Sequence, residues 1–169
     1  MLERMRLRND VIERLKAADT AVEDQVFRSR INPIPQKDCP AISVYTLSEI
    51  GSSDGAAHLP SFNVNLTLKL DVYVAASECW DDDLDDLCEQ IEVALLQDPE
   101  FVKDFSEINS YSTNIQLSDG GELPVAIAAI TIGLTYRNKF DPIIPDELKV
   151  TAIKTESDGP VRIEINHEQ

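Results

Sequence analysis

An alternation of apolar and polar residues between positions 62 and 74 constrains the fold of this chain more than any other feature. The apolar members are Phe62, Val64, Leu66, Leu68, Leu70, Val72 and Val74. A period of two places these side chains on one face of a β-strand, so the pattern predicts a strand with one buried and one solvated face. At about 3.3 Å per residue this strand spans roughly 40 Å, which is longer than the usual strand. We therefore expect it to bend, to pair beyond its own sheet, or to project from it.

Two other segments have the periodicity of amphipathic helices. Residues 2–19 repeat apolar side chains every four positions, at Leu7, Val11 and Leu15. The second helix has a single apolar stripe formed by Leu84, Leu87, Cys88, Ile91 and Leu95. We expect Pro99 to end this helix, and the apolar residues between 101 and 105 predict one further helical turn.

Shorter apolar segments predict the remaining strands, which are residues 26–30, 41–47, 111–118, 123–137, 148–155 and 161–165. The last two form a predicted terminal hairpin. Residues 48–61 predict a long loop, because they are rich in Gly, Ser and Ala and have no period. Residues 119–122, Asp-Gly-Gly-Glu, predict a tight hairpin turn. The apolar face of the strand after it changes register at Ala129–Ile130, which is typical of a β-bulge.

Together these elements predict an α+β fold. We expect a mostly antiparallel (mixed) twisted sheet with two amphipathic helices packed on one face, plus a C-terminal β-hairpin extension. The length of 169 residues favours one main domain, which we assign to residues 1–138. Residues 139–169 are then a proline-containing linker followed by the hairpin extension.

The charge of the chain is unevenly distributed. Its formal net charge is −16, yet residues 1–40 contain eight basic and seven acidic residues, and residues 41–169 contain seven basic and 24 acidic ones. This argues against reading of DNA grooves, which needs a cationic surface, and against docking to an anionic membrane. An acidic wall is compatible with nucleic acid that passes by without sticking, because like charges repel phosphate.

Location and redox state follow from simple patterns. No apolar run approaches the roughly 18 residues needed to span a bilayer, and the N-terminal sequence lacks the apolar core of a signal peptide. The three cysteines, Cys39, Cys79 and Cys88, have no CxxC spacing. A reducing cytoplasmic compartment fits them best, and we expect all three to be structural thiols.

Residues Asp81–Asp86, with five carboxylates, invite a functional interpretation. Carboxylates bind Ca²⁺ or Mg²⁺, but the spacing is not that of an EF-hand loop. The simpler interpretation is that Asp81–Asp83 cap the helix and complement its positive N-terminal dipole, while Asp85 and Asp86 are solvated. His58 and His167 have no ligand at metal spacing, and no nucleophile motif or phosphate loop occurs. The sequence therefore indicates no catalytic, cofactor-binding or metal-binding residue.

The first helix is basic on part of its surface. Arg4, Arg6, Arg8 and Arg14 lie away from its apolar face. Their simplest interpretation is a solvated face. The alternative is that this surface meets an acidic surface on a neighbouring copy of the chain, which the charge asymmetry permits.

Four stretches in order resemble the bacteriophage tail terminator (tail completion) proteins of the lambda minor tail protein U type. They are residues 7–34, 40–49 (PAISVYTLSE), 66–99 and 113–138. The similarity is one of order and spacing over about residues 1–138, and none of these stretches is a catalytic fingerprint. Residues 139–169 lie outside it.

The resemblance implies a structural role in the virion tail at the head–tail junction. Such proteins form a homohexameric ring, assembled in the host cytoplasm, that caps the tail tube and stops its polymerisation. The implied partners are the tail tube protein and the head–tail connector or neck protein, with genomic DNA passing through the lumen without specific binding and no membrane involved. Enzymatic activity and cofactors are not implied.

Within such a ring we expect the predicted loop 48–61, the long strand and the basic helix to form contacts. The candidate interface residues are Arg4, Arg8, Arg14, Ile50, His58, Phe62, Asn63, Asn65 and Trp80. Two alternatives stay open at this point. One is another head–tail joining or minor tail protein, and the other is a metal-dependent enzyme that uses Asp81–Asp86.

Overall fold

A five-stranded sheet organises the molecule. A computed structural model describes residues 2–30, 34–55, 59–118 and 124–141. In chain order the elements are α1 (Glu3–Ala17), β1 (Val26–Arg28), a 3₁₀ turn (Gln36–Asp38), β2 (Ala41–Ser53), β3 (Ser61–Ala75), α2 (Trp80–Leu96), α3 (Pro99–Val102), β4 (Glu107–Ser118) and β5 (Val125–Lys139).

The strand order is β1-β2-β3-β5-β4. The short β1 runs parallel to β2, and every other neighbouring pair is antiparallel. The sheet is thus mixed and mostly antiparallel, which confirms the predicted α+β class. β2 and β5 run in one direction and β3 and β4 in the other.

The core lies between one face of this sheet and the two long helices. The even-numbered residues of β3 from Val64 to Val74 are buried on this face, as the alternation predicts. α2 packs on β3 and β5, and α1 packs on β1, on β2 and on α2. The apolar stripes of both helices are buried where the sequence placed them, at Leu7, Val11 and Leu15 and at Leu84 to Leu95. The prediction of two helices on one sheet face is confirmed. We call this the helix face and the opposite one the open face.

The long strand stays within its sheet, so the expectation that it pairs beyond the sheet or projects from it is wrong. β3 pairs with β5 from Ser61 to Ala75 without a break, and with β2 from Phe62 to Tyr73. The physical reason is that β2 and β5 are nearly as long as β3 and supply hydrogen-bond partners along its length.

The predicted loop 48–61 is also wrong over its first six residues. β2 continues to Ser53, and residues 48–53 pair with residues 62–67 of β3. An irregularity at Leu47, between Thr46 and Ser48, keeps the two strands paired across one extra residue. Ladder hydrogen bonds to β3 thus override the low strand propensity of the Ser- and Gly-rich stretch.

The predicted bulge at Ala129–Ile130 is wrong, because β5 pairs continuously with β3 through that point. Val125, Ile127 and Ala129 simply lie on the open face, since a strand between two neighbours can carry apolar side chains on both sides. The irregularity lies instead in β4, between Ile108 and Ser110, opposite Gly133.

Smaller differences concern the ends of elements. Pro99 begins α3 instead of marking the end of α2, which stops at Leu96, and Asp98 caps α3 by accepting a hydrogen bond from Glu100 N at 2.9 Å. The N-cap of α2 is Cys79 with no side-chain cap, so Asp81–Asp83 do not cap it but lie in its first turn, where they complement the dipole. The predicted turn 119–122 lies outside the described residues, as do the strands 148–155 and 161–165.

Gly133 is required by the irregular stretch of β4. A Cβ atom built at this position would lie 2.1 Å from Asn109 Oδ1 and 2.3 Å from Ser110 Oγ. We expect Gly133→Ala to lower the free energy of unfolding by about 1–3 kcal/mol, because both side chains must be displaced from their positions beside Gly133 and Asn109 must give up its hydrogen bonds. Urea unfolding measures this loss.

A double-mutant cycle with Asn109→Ala and Ser110→Ala provides the control. In that background Gly133→Ala has room for its methyl group, so its cost should fall below about 0.5 kcal/mol. An unchanged cost would show that the close approach is not the cause.

Candidate assembly surfaces

The arginines of α1 are paired within their own chain. Arg4 Nη1 lies 2.7 Å from Glu49 Oε2, and Arg8 Nη1 donates to Thr46 Oγ1 at 3.3 Å. Arg14 contacts Asp98 and also Asp10, at 3.0 Å. Arg4 and Arg8 thus face β2, whereas Arg14 faces the connection between α2 and α3, and the three form neither a purely solvated face nor a free cationic one.

Glu49 links α1 to the sheet. Its carboxylate accepts a hydrogen bond from the Tyr136 hydroxyl at 2.5 Å in addition to the contact with Arg4. These two donors, the tyrosine first, hold the pKa of Glu49 below its ordinary value. The pKa of Tyr136 is raised in turn, by burial and then by the same carboxylate. This cluster fixes the N-terminal half of α1 above β2.

The other candidates on β2 and β3 lie at one end of the sheet. Ile50 and Asn65 are directly paired across these strands, and both lie on the open face. Phe62 lies on the helix face and meets Phe140 edge-to-face, with ring centroids 5.9 Å apart. Asn63 is exposed beside them, whereas His58 lies outside the described residues. Trp80 is separate from this group, because it opens α2 beyond the opposite end of β3 and packs partly against the core.

A polar cluster on the open face was missed at the level of sequence. Asn109 Nδ2 donates to Asn65 Oδ1 at 2.8 Å and to Thr135 Oγ1 at 3.0 Å, and Thr135 Oγ1 donates to Asn65 Oδ1 at 2.8 Å. This cluster ties β3, β5 and β4 together beside Gly133. The available signal was Gly133 itself, since an isolated glycine in a strand often marks a bulge or a close approach.

The negative charge is concentrated on α2. This helix has seven acidic residues and no basic one, whereas α1 has five basic and three acidic residues. Most of the carboxylates of α2, including Asp81–Asp83, Asp85 and Asp86, are exposed. Within the described part of the chain, no group of three or more His, Cys, Asp or Glu side chains is arranged to hold a metal ion. The three cysteines are free thiols.

β4 presents an apolar strip that sequence reasoning did not single out. Tyr111, Ile115 and Leu117 pair with the buried residues Ile132, Ala128 and Ala126 of β5, so they share the helix face. They are nevertheless exposed, with 46% of Ile115 and 53% of Leu117 accessible. The cause is that α2 lies over β3 and β5 and α1 lies over β1 and β2, so that no helix of the described residues lies above β4.

Tyr111 marks the boundary between this apolar strip and α2. Its hydroxyl donates to Glu92 of α2 and lies 2.9 Å from Thr113 Oγ1. Burial, followed by the hydrogen bond to Glu92, raises the pKa of Tyr111 to about 12. The apolar strip is therefore flanked by the acidic helix on one side.

The outer edges of two strands are unpaired in the described part of the chain. β1 covers only Ile42–Val44 of β2, so the outer edge of residues 46–53 has no neighbouring strand, and neither does that of β4. We call residues 46–53 the free stretch of β2. β4 contains one charged residue, Glu107, among twelve, and neither lysine nor proline. Edge strands in soluble proteins usually carry such charges or prolines to prevent pairing with another chain.

The alternation of backbone hydrogen bonds along each strand shows which N–H groups point outward from these edges. Asp54 N donates to Ser61 O and Ala76 N donates to Pro124 O. Because hydrogen-bonded pairs alternate in antiparallel strands, the N–H groups of Gly51 and Ser53 in β2 point away from β3. By the same alternation those of Thr113 and Ile115 in β4 point away from β5. Both edges thus offer unpaired donors and acceptors.

A comparison of the chain with protein-family models gives no match, and a comparison with curated protein sequences gives none either. The surfaces described above are therefore interpreted from their own geometry and charge.

The Glu49 cluster makes a pH-dependent contribution to stability. A carboxylate whose pKa is lower in the folded protein stabilises fully above its unfolded pKa, about 4.5, and this stabilisation is lost as pH falls through the lower folded value. We expect Glu49→Gln to reduce the free energy of unfolding by about 1–2 kcal/mol at neutral pH, with a smaller difference from wild type near pH 3. Urea unfolding at both pH values measures it.

Glu100→Gln is the matched control, because Glu100 forms an exposed ion pair with Lys103. Exposed pairs contribute little, so its effect should stay below about 0.5 kcal/mol. Equal losses for Glu49→Gln at both pH values would contradict the assignment.

Proposed function

We propose that this protein is a bacteriophage tail terminator, a structural protein that assembles into a ring. The observation that carries the proposal is the long and nearly uncharged edge of β4, which no other strand of the described residues pairs with, in a chain with a net charge of −16. Chains of like charge repel one another, so they associate best through surfaces that carry little charge. An apolar strip and unpaired backbone groups on such a surface favour association further.

A ring requires two different surfaces on each copy. β4 and the free stretch of β2 lie at opposite ends of the strand order and differ in sequence. Contacts between unlike surfaces are head-to-tail and give a ring when the rotation between copies closes. The number six comes from the resemblance to tail terminators, and it corresponds to a mass of about 113 kDa.

The charge of α2 supports the part of the proposal in which DNA passes through the ring. In the proposed ring α2, with its seven carboxylates, is the best candidate for a surface along the DNA path. Like-charge repulsion keeps phosphates from adhering to such a surface. The tail tube protein and the head–tail connector are the proposed partners on the two ring faces, and the head–tail junction of the virion is the proposed location.

Membrane attachment has no part in this proposal. Of the helices in the described residues, none is long and apolar enough to cross a bilayer.

Native mass spectrometry over a range of protein concentrations tests the self-assembly. We expect a discrete species of about 113 kDa at high concentration or in the presence of tail tubes. A strict monomer under both conditions would contradict the proposal.

Tails assembled without this protein, viewed by electron microscopy, distinguish the two structural roles. Tubes of uncontrolled length support a terminator. Tails of normal length that fail to join heads support a head-side joining protein instead. A large rise in melting temperature with Ca²⁺, Mg²⁺ or Mn²⁺ would instead favour the metal-dependent enzyme, because a ligand that binds the folded state raises apparent stability.

A further inference from the structure

α1 extends beyond the part of the sheet that the described residues place beneath it. A helix is about 10 Å wide and neighbouring strands are about 4.8 Å apart, so one helix covers roughly two strands. Beside Ile42–Val44 these two strands are β2 and β1. Beyond Val44 the contacts of Arg4 with Glu49 and of Arg8 with Thr46 keep α1 above the free stretch of β2. No strand of the described residues continues the line of β1 there.

β4 at the opposite edge of the sheet complements α1 in this respect. Among the described residues, no strand pairs with its outer edge and no helix lies above its apolar strip, Tyr111, Ile115 and Leu117. The exposed apolar side chains of β4 and the helix α1, which extends over the outer edge of β2, thus lie at opposite edges of the same sheet. Two copies placed side by side bring the two together.

The strand directions allow this arrangement. β4 runs opposite to β2 within the chain. When two copies stand in the same orientation, β4 of one therefore meets β2 of the next in an antiparallel arrangement. The helix faces of the two sheets are then continuous, and α1 of one copy lies beside α2 of the other.

The charges favour the same pairing. α1 has a surplus of two positive charges and α2 has seven acidic residues and no basic one. Placing them side by side brings α2 next to an element whose own residues have a net positive charge, although Arg4 and Arg14 already contact carboxylates of their own chain. A symmetric contact between two β4 strands would leave both apolar strips without a helix above them, and it would have no such complementarity.

We propose that β4 of one copy pairs antiparallel with residues 46–53 of β2 in a second copy, whose α1 covers Tyr111, Ile115 and Leu117. This inference rests on the self-assembly of the proposed function and names the two surfaces that carry it. The contact uses outward N–H groups of Thr113 and Ile115 on one side and of Gly51 and Ser53 on the other.

Two pairs of lysine substitutions in β4 test one side of this contact. Ile115→Lys with Leu117→Lys places charges beneath the neighbouring α1, so we expect association to weaken on the order of 100-fold. Asn114→Lys with Gln116→Lys adds the same charge to the same strand on the open face. This control should assemble like wild type, and thermal melting checks that both variants fold.

Gly51→Pro blocks the β2 side of the contact, because it removes an N–H group that points outward without breaking a hydrogen bond to β3. Ser53→Pro, which acts in the same way, is the second variant if Gly51→Pro melts early. Neither the β4 variant nor the β2 variant should assemble alone. Mixed together, they retain one intact contact and should form a 1:1 dimer of about 38 kDa in native mass spectrometry.

Three outcomes would overturn the inference without contradicting the self-assembly of the chain. They are rings that persist with Ile115→Lys and Leu117→Lys, a dimer formed by the β2 variant alone, and loss of assembly only when residues 142–169 are deleted. The second outcome would indicate a symmetric contact between β4 strands, and the third would make the C-terminal segment the occupant. A wild-type chain that stays monomeric even with tail tubes would contradict the proposed function itself.

Discussion

The pairing of β3 with β5 is the constraint on which the rest of the structure depends. Fifteen residue pairs in unbroken register join these strands, so a slip of one residue would turn every apolar side chain of β3 from the core to the open face. This register fixes which residues of β2 and β4 share the helix face. It also determines that the residues of β4 opposite Ile132, Ala128 and Ala126 are presented on the side where the helices lie. That register puts the apolar strip of β4 on the helix face. The strip is exposed because the two long helices lie over the other four strands.

The distribution of charge follows the same architecture. Helix surfaces that face solvent carry the carboxylates, above all on α2, whereas the strands have few charged side chains. On the open face a polar but neutral cluster, Asn65 with Asn109 and Thr135, takes the place of charge. A strongly acidic chain therefore retains low-charge surfaces at the edges of its sheet. Association through these edges leaves the carboxylates solvated and avoids the cost of burying them.

The sequence predicted the elements that have a strong period. The alternation of β3 and the apolar stripes of α1 and α2 indicated their type and buried face correctly, because burial on one side imposes such periods. The prediction from sequence failed where pairing with a neighbouring strand decides the structure. Residues 48–53 have a loop-like composition, yet β3 supplies a partner strand for them. The apolar Val125 and Ile127 resembled a register change, although they only line the second face of an interior strand. The apolar strip of β4 was not recognisable, because exposure of Ile115 and Leu117 depends on which strands the two helices cover, and no local pattern encodes that.

The two free edges are protected to different degrees, and this difference bears on how assembly would end. The free stretch of β2 carries the irregularity at Leu47 and the Glu49 cluster, both of which limit indiscriminate strand addition. β4 also has an irregularity, between Ile108 and Ser110, but from Ser110 to Ser118 it has neither an irregularity nor a charged residue. The protection of the β2 edge disfavours contact between two β2 edges and leaves β4 as its matched partner. In an open filament one β4 edge would always remain exposed, whereas in a closed ring each β4 meets a β2 edge. In the proposed ring, closure would therefore remove the edges on which further copies of this chain could add.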